Sequence, residues 1–355
     1  MFETVQTRAQ NLLSQEEQGA FVVWGLMFVT LLVTFAGFVL QANWTAFPLL
    51  AFAVTVVYGW FTTQAATVKG LAFITTIATV TILGLITVFL FLESLPAWEE
   101  HGFDLLYKSG PPYYQPTSGI ISLTPMIWGT IAVTFVATLV AGPLGIAGAL
   151  FVSEIAPAWA REIVKPGIEL MAGIPSIVYG FIGWLILSDY MRANLNAAVL
   201  GGSLFLTGLV VGIMALPTVV SVAEDALSSV PDSMKDGSVA VGATEWQTMG
   251  GITVPAAFSG VSAAVLLGVG RAVGETMAAT VILAHSPNVP KPLYDFTENT
   301  EALTSLIAFN YGNAGEMELS ALFFAGVLLF VTVLFISIGS QLIERRMKAK
   351  LGGNE

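Results

Sequence analysis

The stretch Val254–Ala284 reads VPAAFSGVSAAVLLGVGRAVGETMAATVILA, an apolar run with two charged residues, Arg271 and Glu275. A charge at bilayer depth costs several kcal/mol unless it is paired or faces a water-filled cavity. The i, i+4 spacing predicts that both side chains lie on one helical face, one turn apart. Gly270 and Gly274 have no side chains and lie at the level of the two charges, which leaves space for close helix packing or for a ligand. The stretch therefore predicts a membrane helix that contains a functional site.

The whole chain has the composition of a polytopic membrane protein. Of its 355 residues, 55% are hydrophobic and 10% are charged, against roughly 25% charged in a soluble domain. A span needs about 20 apolar residues. Eight segments qualify: 20–40, 45–66, 70–92, 126–152, 166–187, 203–223, 257–284 and 319–343. Since apolar runs of this length are not barrel strands, the predicted fold class is an all-α membrane protein with about eight transmembrane helices.

Several kinds of chemistry are excluded by what the sequence lacks. Without cysteine there are no disulfides, thiolate nucleophiles or cysteine metal sites. His101 and His285, the only histidines, fall at predicted loop edges, and Glu275 is the only acid that the pattern clearly buries. No glycine-rich phosphate loop ending in Gly-Lys-Ser/Thr occurs, so ATP binding by this chain is not expected. We predict neither an enzyme nor a metal or cofactor site.

Basic residues in the loops predict the orientation in the membrane, because cytoplasmic loops are enriched in lysine and arginine. With the N-terminus inside, the inner side collects Arg8, Lys69, Arg161, Lys165, Lys235, Arg345, Arg346, Lys348 and Lys350. The outer side collects Lys108, Arg192 and Lys291. Both termini of this multi-pass cell-membrane protein are therefore predicted to be cytoplasmic. The net charge of −11 is typical of either a high-salt habitat or a solvated outer face.

The motifs divide the chain into an accessory part and a working part. Residues 1–92 hold a polar N-terminal segment, either a short surface helix or a frayed tail, and accessory helices, the third of which is open to assignment to the core. Residues 93–124 form a proline-rich and aromatic extracytoplasmic loop. The working transmembrane domain is predicted at 125–343, and a cytoplasmic tail at 344–355.

The longest predicted inner connection, residues 224–256, has the sequence of an ordered docking element. Pro231 marks the start of a first helix, and Gly242 interrupts it. The sequence TEWQ, which begins at Thr244, has capping-box spacing and predicts a second short helix. That helix should end at Pro255. The alternative is an ordinary amphipathic connector.

Loop and membrane motifs together resemble permease subunits of binding-protein-dependent ABC importers. The loop signature of that family is Glu-Ala-Ala, three residues, Gly, nine residues, Ile-x-Leu-Pro. In the same frame this chain has Asp236-Gly237-Ser238, Gly242 and Ile252-Thr253-Val254-Pro255. The acidic start, glycine, isoleucine and proline are kept. Gly-Ser in place of Ala-Ala weakens helix propensity, and Val replaces Leu.

Further stretches are similar to phosphate permeases of the Pst type (PstC-like). They are GRAVGETMA from Gly270, AGIPSIVYGF from Ala172 and SEIAP from Ser153. The resemblance covers roughly residues 70–343 and implies a type I ABC importer permease bundle with a cytoplasmic two-helix coupling loop. The first two spans exceed the six usual in this family, so no role is carried over to them.

The resemblance implies one subunit of a hetero-oligomeric importer of inorganic phosphate. A sister permease (PstA-like) would complete the pore, two copies of a phosphate-loop ATPase (PstB-like) would dock inside, and an extracytoplasmic binding protein (PstS-like) would deliver phosphate. Membrane lipid surrounds the chain, and no nucleic-acid partner is implied. The coupling residues would be Asp236, Gly237, Ser238, Gly242, Trp246, Ile252 and Pro255. Trp246 either anchors in the ATPase or packs against the chain's own helix ends.

The predicted substrate pathway centres on Arg271, whose planar guanidinium can bind two oxygens of a phosphate. Glu275 would neutralise Arg271 in the empty pore and yield to the anion; the alternative is a permanent ion pair that only locks packing. Thr276 either lines the pore or bonds its own backbone. Ser176 and Tyr179 follow a helix-breaking proline, and either line the path or flank a packing kink.

Two other transporter classes compete with this interpretation. A permease for another oxyanion, such as molybdate, tungstate or sulfate, would share the inner-loop signature. The arginine–glutamate motif together with the Pro-Ser-x-Val-Tyr stretch favours phosphate over these. A secondary anion transporter would not need a docking loop of this spacing.

Overall fold

Helices provide nearly all regular structure in the computed structural model, which describes residues 2–195 and 202–350. Within those residues, six helical segments are long and apolar enough to cross a membrane: Gly19–Val39, Gln64–Leu105, Thr124–Ile155, Leu204–Ser228, Glu245–Val273 and Glu316–Leu342. The pair Ala158–Gly173 and Ser176–Asn194 would make a seventh span, bent by 90°. Ala46–Thr62 is apolar but shorter. The all-α fold class is confirmed, whereas two of the eight predicted spans are broken helices.

The chain divides into two compact units, Met1–Phe89 and Leu90–Glu355. The first contains α1 (Phe2–Val39), α2 (Ala46–Thr62) and most of α3 (Gln64–His101). Helix α1 is continuous, so the polar N-terminal segment forms no separate surface helix. The unit boundary falls inside α3, which assigns most of the third predicted span to the accessory part.

The second unit holds the remaining elements. They are β1 (Tyr114–Gln115), β2 (Ile120–Ile121), α4 (Thr124–Leu150), α5 (Ala158–Gly173), α6 (Ser176–Ile182), α7 (Ser188–Leu195), α8 (Leu204–Ser228), α9 (Asp232–Ala240), α10 (Glu245–Thr248), α11 (Val254–Val273), α12 (Met277–Ile282), α13 (Leu303–Asn310) and α14 (Glu316–Lys350). Three π-helical segments, Phe151–Ile155, Gly183–Leu187 and Met249–Thr253, follow α4, α6 and α10.

Small residues let the central helices α4, α8 and α11 approach closely. A Cβ atom placed on Gly145 of α4 or on Gly268 of α11 would lie 2.5 Å from a γ-carbon of Val219 on α8. A Cβ atom on Gly208 would likewise lie 2.5 Å from Val136. Since lipid is as apolar as the helices, such van der Waals contact is what holds membrane helices together. These three helices form the scaffold around which the broken helices are arranged.

The predicted loop 93–124 begins later than the composition suggested, because α3 continues to His101. Pro96 has no N–H, and the hydroxyl of Ser320 on α14 inserts at this point: it accepts from Ala97 N (3.1 Å) and donates to Glu93 O (2.6 Å). A side chain that bridges the ladder in this way satisfies both backbone groups. Helix α3 therefore continues past Pro96 to His101.

A short antiparallel hairpin closes the loop between α3 and α4, with Tyr114 opposite Ile121. The Tyr114 hydroxyl donates to Glu318 Oε1 in the first turn of α14, at 3.0 Å. Burial, with the Glu318 carboxylate beside it, raises the pKa of Tyr114 above its ordinary value. The loop is thus anchored on α14 and is not a free connection.

The predicted span 166–187 is wrong as a straight helix. Helix α5 ends at Gly173, and the chain is extended through Ile174 and Pro175 before α6 begins. A residue that precedes proline is pushed out of the helical region. Helix α5 also carries four charges, Arg161, Glu162, Lys165 and Glu169, which disfavour burial in hydrocarbon.

We expect Gly145→Val to lower the unfolding free energy by about 2 kcal/mol, because the added methyl groups overlap Val219 across a closely packed seam. Circular dichroism of the purified protein during titration with SDS measures this change. Gly84→Val is the matched control, since nothing lies within 4 Å of a Cβ atom at Gly84 in α3. Equal stability of the two variants would contradict the proposed seam.

Candidate functional site

The predicted span 257–284 is interrupted beside Arg271. Helix α11 ends at Val273, and α12 starts at Met277. Glycine has a low helix propensity, and Gly274 is the first residue beyond the helix. Between the two helices the carboxylate of Glu275 accepts from Ala278 N at 3.1 Å. The prediction that Arg271 and Glu275 share one helical face is therefore wrong.

The backbone carbonyl and the side-chain carboxylate of Glu275 are both hydrogen-bonded to other residues. Its carbonyl oxygen accepts from the hydroxyl of Thr304 on α13 at 2.8 Å, while its carboxylate binds the start of α12. Among the described residues, no carboxylate forms an ion pair with Arg271. The expected Arg271–Glu275 pair is absent from this structure, and Glu275 instead stabilises the break.

Arg271 is exposed to a cavity of about 560 Å³ between α8, α11 and α14. Its Nη1 donates to Thr218 Oγ1 on α8, at 3.3 Å. A guanidinium has five N–H donors, so most of them remain available to a ligand. The room for a ligand expected at Gly270 exists, since nothing lies within 4 Å of a Cβ atom there.

Apart from Arg271, the side chains that line this cavity are uncharged. They are Thr218, Ala263, Leu266, Leu267, Gly270, Val333, Ile336, Ser337, Ser340 and Gln341. A single positive charge in a neutral and partly apolar surround favours an anion. The arrangement can therefore bind an anion, and it supplies hydroxyl and amide groups but no general acid or base.

The other predicted pathway residues lie along a seam between the two broken helices. Helix α6 packs along α12, since a Cβ atom on Gly180 would lie 3.0 Å from Ala278 Cα. The Tyr179 hydroxyl donates to Met171 O at 3.1 Å and so satisfies a carbonyl in the last turn of α5. Ser176 is half-buried at the start of α6. Neither side chain lines the Arg271 cavity.

The threonines of the break bond their own backbone. Thr276 Oγ1 donates to Gly274 O at 3.2 Å, and Thr280 Oγ1 donates to Thr276 O at 2.8 Å. This is the local alternative considered for membrane threonines. Of the five predicted pathway residues, only Arg271 lines the cavity.

The residues of α8 and α14 that line the other two sides of the cavity were not predicted from the sequence. Thr218 follows Pro217 inside α8 and has no motif that distinguishes it. On α14, however, Ser337, Ser340 and Gln341 recur at i, i+3 and i+4 within an apolar run, the spacing that puts side chains on one helical face. This spacing could have predicted a polar face on α14.

The inner docking segment has the two predicted helices, α9 and α10. Gly242 adopts a φ of +93°, and the bonds Gly242 N to Val239 O (3.0 Å) and Ala243 N to Ser238 O (3.2 Å) close a Schellman motif. The Thr244–Gln247 capping box is confirmed. The boundaries 224–256 are wrong at both ends, because 224–228 belongs to α8 and the helix does not end at Pro255.

Pro255 is the second residue of α11 and follows closely on the π-helical segment Met249–Thr253, which contains Ile252. Helix α10, this segment and α11 form one continuous helix, Glu245–Val273. The same continuous helix therefore contains α10 at one end and Arg271 near the other.

Two ion pairs connect the inner segment and its neighbours to the scaffold. Lys235 Nζ on α9 lies 2.8 Å from Glu154 Oε1 at the end of α4, and both side chains are mostly buried. Lys165 Nζ on α5 lies 2.7 Å from Glu224 Oε2 on α8. The hydroxyls of Thr248 and Ser238 join α10 to α9 at 3.0 Å. These contacts make the segment a rigid element.

The segment formed by α9, α10 and the turn between them exposes several apolar side chains. Trp246 is 72% exposed and Val241 85%, with Met234 and Val239 also exposed. Packing of Trp246 against the chain's own helix ends is therefore wrong. Trp246 borders a cleft of about 280 Å³ that also includes Glu154 and Lys235. Clustered exposed apolar residues mark an interaction surface.

Glu275 is not the most buried acid, contrary to the sequence interpretation. Glu301 and Glu224 are only 3% and 6% exposed, because neighbours distant in sequence cover them. Glu301 Oε1 lies 2.7 Å from His285 Nδ1 and accepts from Ser305 Oγ at 3.0 Å. A hydrolytic triad needs the histidine between serine and carboxylate. Here both bind the same carboxylate oxygen, so the cluster is an anchor for the outer loop.

The chain matches a protein-family model described as "Binding-protein-dependent transport system inner membrane component" over residues 141–349. It is 39% identical over 269 residues to the "Probable ABC transporter permease protein YqgH" of Bacillus subtilis, an alignment that covers 74% of this chain and 85% of that relative. It is 33% identical to the "Phosphate transport system permease protein PstC" of Haemophilus influenzae, which covers 68% of this chain and 81% of that one. A probable PstC of Methanocaldococcus jannaschii is 32% identical, with coverages of 72% and 85%.

Solved structures show the same fold at low sequence identity. A bacterial alginate ABC transporter in complex with an alginate-bound periplasmic protein superposes with a TM-score of 0.54 at 13% identity, covering 81% of this chain and 97% of that one. An inward-facing MetNI methionine ABC transporter superposes with a TM-score of 0.51 at 19% identity, covering 66% and 99%. The type I permease bundle is thus present here.

We expect Glu154→Gln to increase amide hydrogen exchange in α9 about tenfold, because Lys235 loses a partly buried partner that holds α9 on the scaffold. Exchange followed by mass spectrometry measures it. Asp236→Asn is the matched control, since Asp236 is exposed on the same helix and forms no ion pair among the described residues. Unchanged exchange in both variants would show that the pair does not hold the segment.

Proposed function

This chain belongs to the inner-membrane components of binding-protein-dependent transport systems, and we propose that it is the permease subunit of an ATP-driven importer of inorganic phosphate. It is a multi-pass inner-membrane protein and not an enzyme. The observation that carries the proposal is Arg271, a cation near the end of a membrane-crossing helix, whose side chain faces a cavity and has no carboxylate partner among the described residues. The phosphate-transport names of its PstC relatives support the substrate.

Phosphate at neutral pH carries one to two negative charges and several acceptor oxygens, which the guanidinium fork of Arg271 matches. Because Thr218 takes only one donor, an anion can bind without first displacing a carboxylate. Glu275 acts in this proposal by positioning: it sets the break that ends α11 two residues beyond Arg271. Thr276, Ser176 and Tyr179 border the neighbouring seam and support the pathway without binding the anion at Arg271.

In this proposal, the energy of ATP hydrolysis reaches the permease through the segment formed by α9 and α10. The exposed Trp246 serves as an aromatic anchor for an ATPase subunit, and the coupling residues Asp236, Gly237, Ser238, Gly242, Ile252 and Pro255 shape the element that receives it. Since α10 continues into α11, a rigid-body movement of the docking element reaches the helix that carries Arg271. Lys235 and Glu154 transmit the same movement to α4.

The proposed assembly contains a PstA-like sister permease, two copies of a PstB-like ATPase and a PstS-like extracytoplasmic phosphate-binding protein. Its support is the family and the exposed docking surface. Both termini face the cytoplasm in this proposal, as the lysine and arginine distribution favours. The acidic loops then face outward.

We expect Arg271→Gln to reduce uptake of radiolabelled phosphate about 100-fold while the complex still assembles, because glutamine fills part of the same space without the charge. Uptake by cells that express the whole transporter measures this, with the subunits quantified after purification. Arg192→Gln is the control, since Arg192 forms a surface pair with Asp189 that contributes little. Wild-type uptake by Arg271→Gln would refute the proposed site.

We expect Trp246→Ala to weaken binding of the ATPase subunit about 30-fold, in line with the loss of a tryptophan hot spot. Co-purification and phosphate-dependent ATP turnover measure it. Trp159→Ala is the matched control, because Trp159 is also exposed, at 68%, but lies on α5. If both variants retain the ATPase subunit equally, the docking surface lies elsewhere.

A further inference from the structure

Helix α14 carries a polar face near the C-terminal end of its membrane-crossing segment, Glu316–Leu342. Ser337, Ser340 and Gln341 line the cavity, and their side chains form no hydrogen bond within the described part of the chain. In membrane helices such hydroxyls usually bond the carbonyl four residues earlier. Thr332 in the same helix does so, donating to Leu328 O at 2.7 Å. The hydrogen-bonding groups of these three side chains are thus available to a ligand in the cavity.

These groups share one cavity with Arg271. The guanidinium stands on the α11 and α8 side, and the three polar residues stand on the α14 side of the same space of about 560 Å³. The cavity has room for a tetrahedral oxyanion together with several water molecules. A ligand there would meet a positive charge from one side and neutral hydrogen-bonding groups from the other.

We propose that Ser337, Ser340 and Gln341 form the second wall of a binding site for a tetrahedral phosphoryl oxyanion whose charge is held by Arg271. The inference rests on the proposed phosphate transport and adds residues that no motif of the permease family designates. The anion then has hydrogen-bond partners on two sides, the neutral α14 residues and the Arg271 guanidinium. It can exchange between these partners as the helices move.

The chemistry of this wall suits a protonated oxyanion that must also be released. Phosphate at neutral pH keeps at least one P–OH donor, and serine hydroxyls and the glutamine amide oxygen can accept it, whereas arginine only donates. Because the wall is uncharged, it contributes hydrogen bonds without adding a second cation that would slow release. Thr218, which already accepts from Arg271, holds the guanidinium toward this space.

The test uses the complete transporter, with its partner subunits and binding protein, reconstituted in vesicles. The variants are the pair Ser337→Ala with Ser340→Ala, and separately Gln341→Leu; Thr332→Val is the matched control from the same helix. The number of phosphates imported per ATP hydrolysed is measured, because the binding protein, and not this cavity, governs the apparent affinity.

We expect each wall variant to lower the phosphate-to-ATP ratio about tenfold, the loss typical of one hydrogen bond to a charged group. ATP turnover should stay within about twofold, which also reports that the complex is folded. Thr332→Val should match the wild type. An unchanged ratio in both wall variants would overturn the proposal, and so would an equal loss in Thr332→Val.

A phospholipid headgroup carries the same phosphoryl chemistry, so its occupancy is tested in parallel. Mass spectrometry of the purified complexes counts bound phospholipids. If the wall variants lose a bound lipid and keep the wild-type ratio, the cavity holds a headgroup and the proposal fails. If Arg271→Gln abolishes import while the wall variants transport normally, only this inference fails. If Arg271→Gln also transports normally, the proposed function fails as well.

Discussion

Lipid offers no hydrogen-bond partner, so every backbone group freed at a helix break must be satisfied by the protein itself. The break between α11 and α12 meets this constraint with two contacts of one residue: Thr304 donates to the carbonyl of Glu275, and the Glu275 carboxylate accepts from Ala278 N. The break between α5 and α6 uses the Tyr179 hydroxyl on Met171 O. Because Glu275 is used in this way, Arg271 has no counter-ion within the part of the chain that the structure describes, and its side chain is open to the cavity.

The two breaks depend on an unbroken scaffold. Helices α4, α8 and α11 approach so closely at Gly145 and Gly268 that both face Val219 of α8. This packing holds Thr218, the residue before Val219, in reach of Arg271. On α8, the closely packed contacts of Val219 therefore lie directly beside Thr218, which lines the Arg271 cavity. The helix packing at Val219 positions this wall of the cavity.

The segment formed by α9 and α10 supports the proposal that a separate ATPase subunit drives this permease. The docking element is terminated by a glycine in a left-handed conformation, restarted by a capping box and held by Lys235 on Glu154. Its exposed surface is apolar, and its second helix runs on into α11. The same helix thus begins at the docking surface and ends at the proposed anion site.

Much of the fold was predictable, because its signals act within a few residues. Apolar length marked the spans, Gly242 and the Thr244 capping box marked the ends of α9 and α10, and proline marked the break after α5. The errors have the same origin. A run of apolar residues does not reveal that Glu275 is better used as a cap than as a partner of Arg271, nor that Glu301 is buried.

The sequence by itself determined that this is a helical membrane protein of the ABC permease kind, and it predicted a charged residue within an apolar span and an ordered segment between α8 and α11. Tertiary structure alone decided what those features contact. Arg271 meets Thr218 across 53 residues and Lys235 meets Glu154 across 81, while Ser337 on the polar face of α14 lies 66 residues beyond Arg271. Such pairings depend on how helices pack, and packing is set by shape and small-residue contact over the whole bundle, which no local pattern encodes.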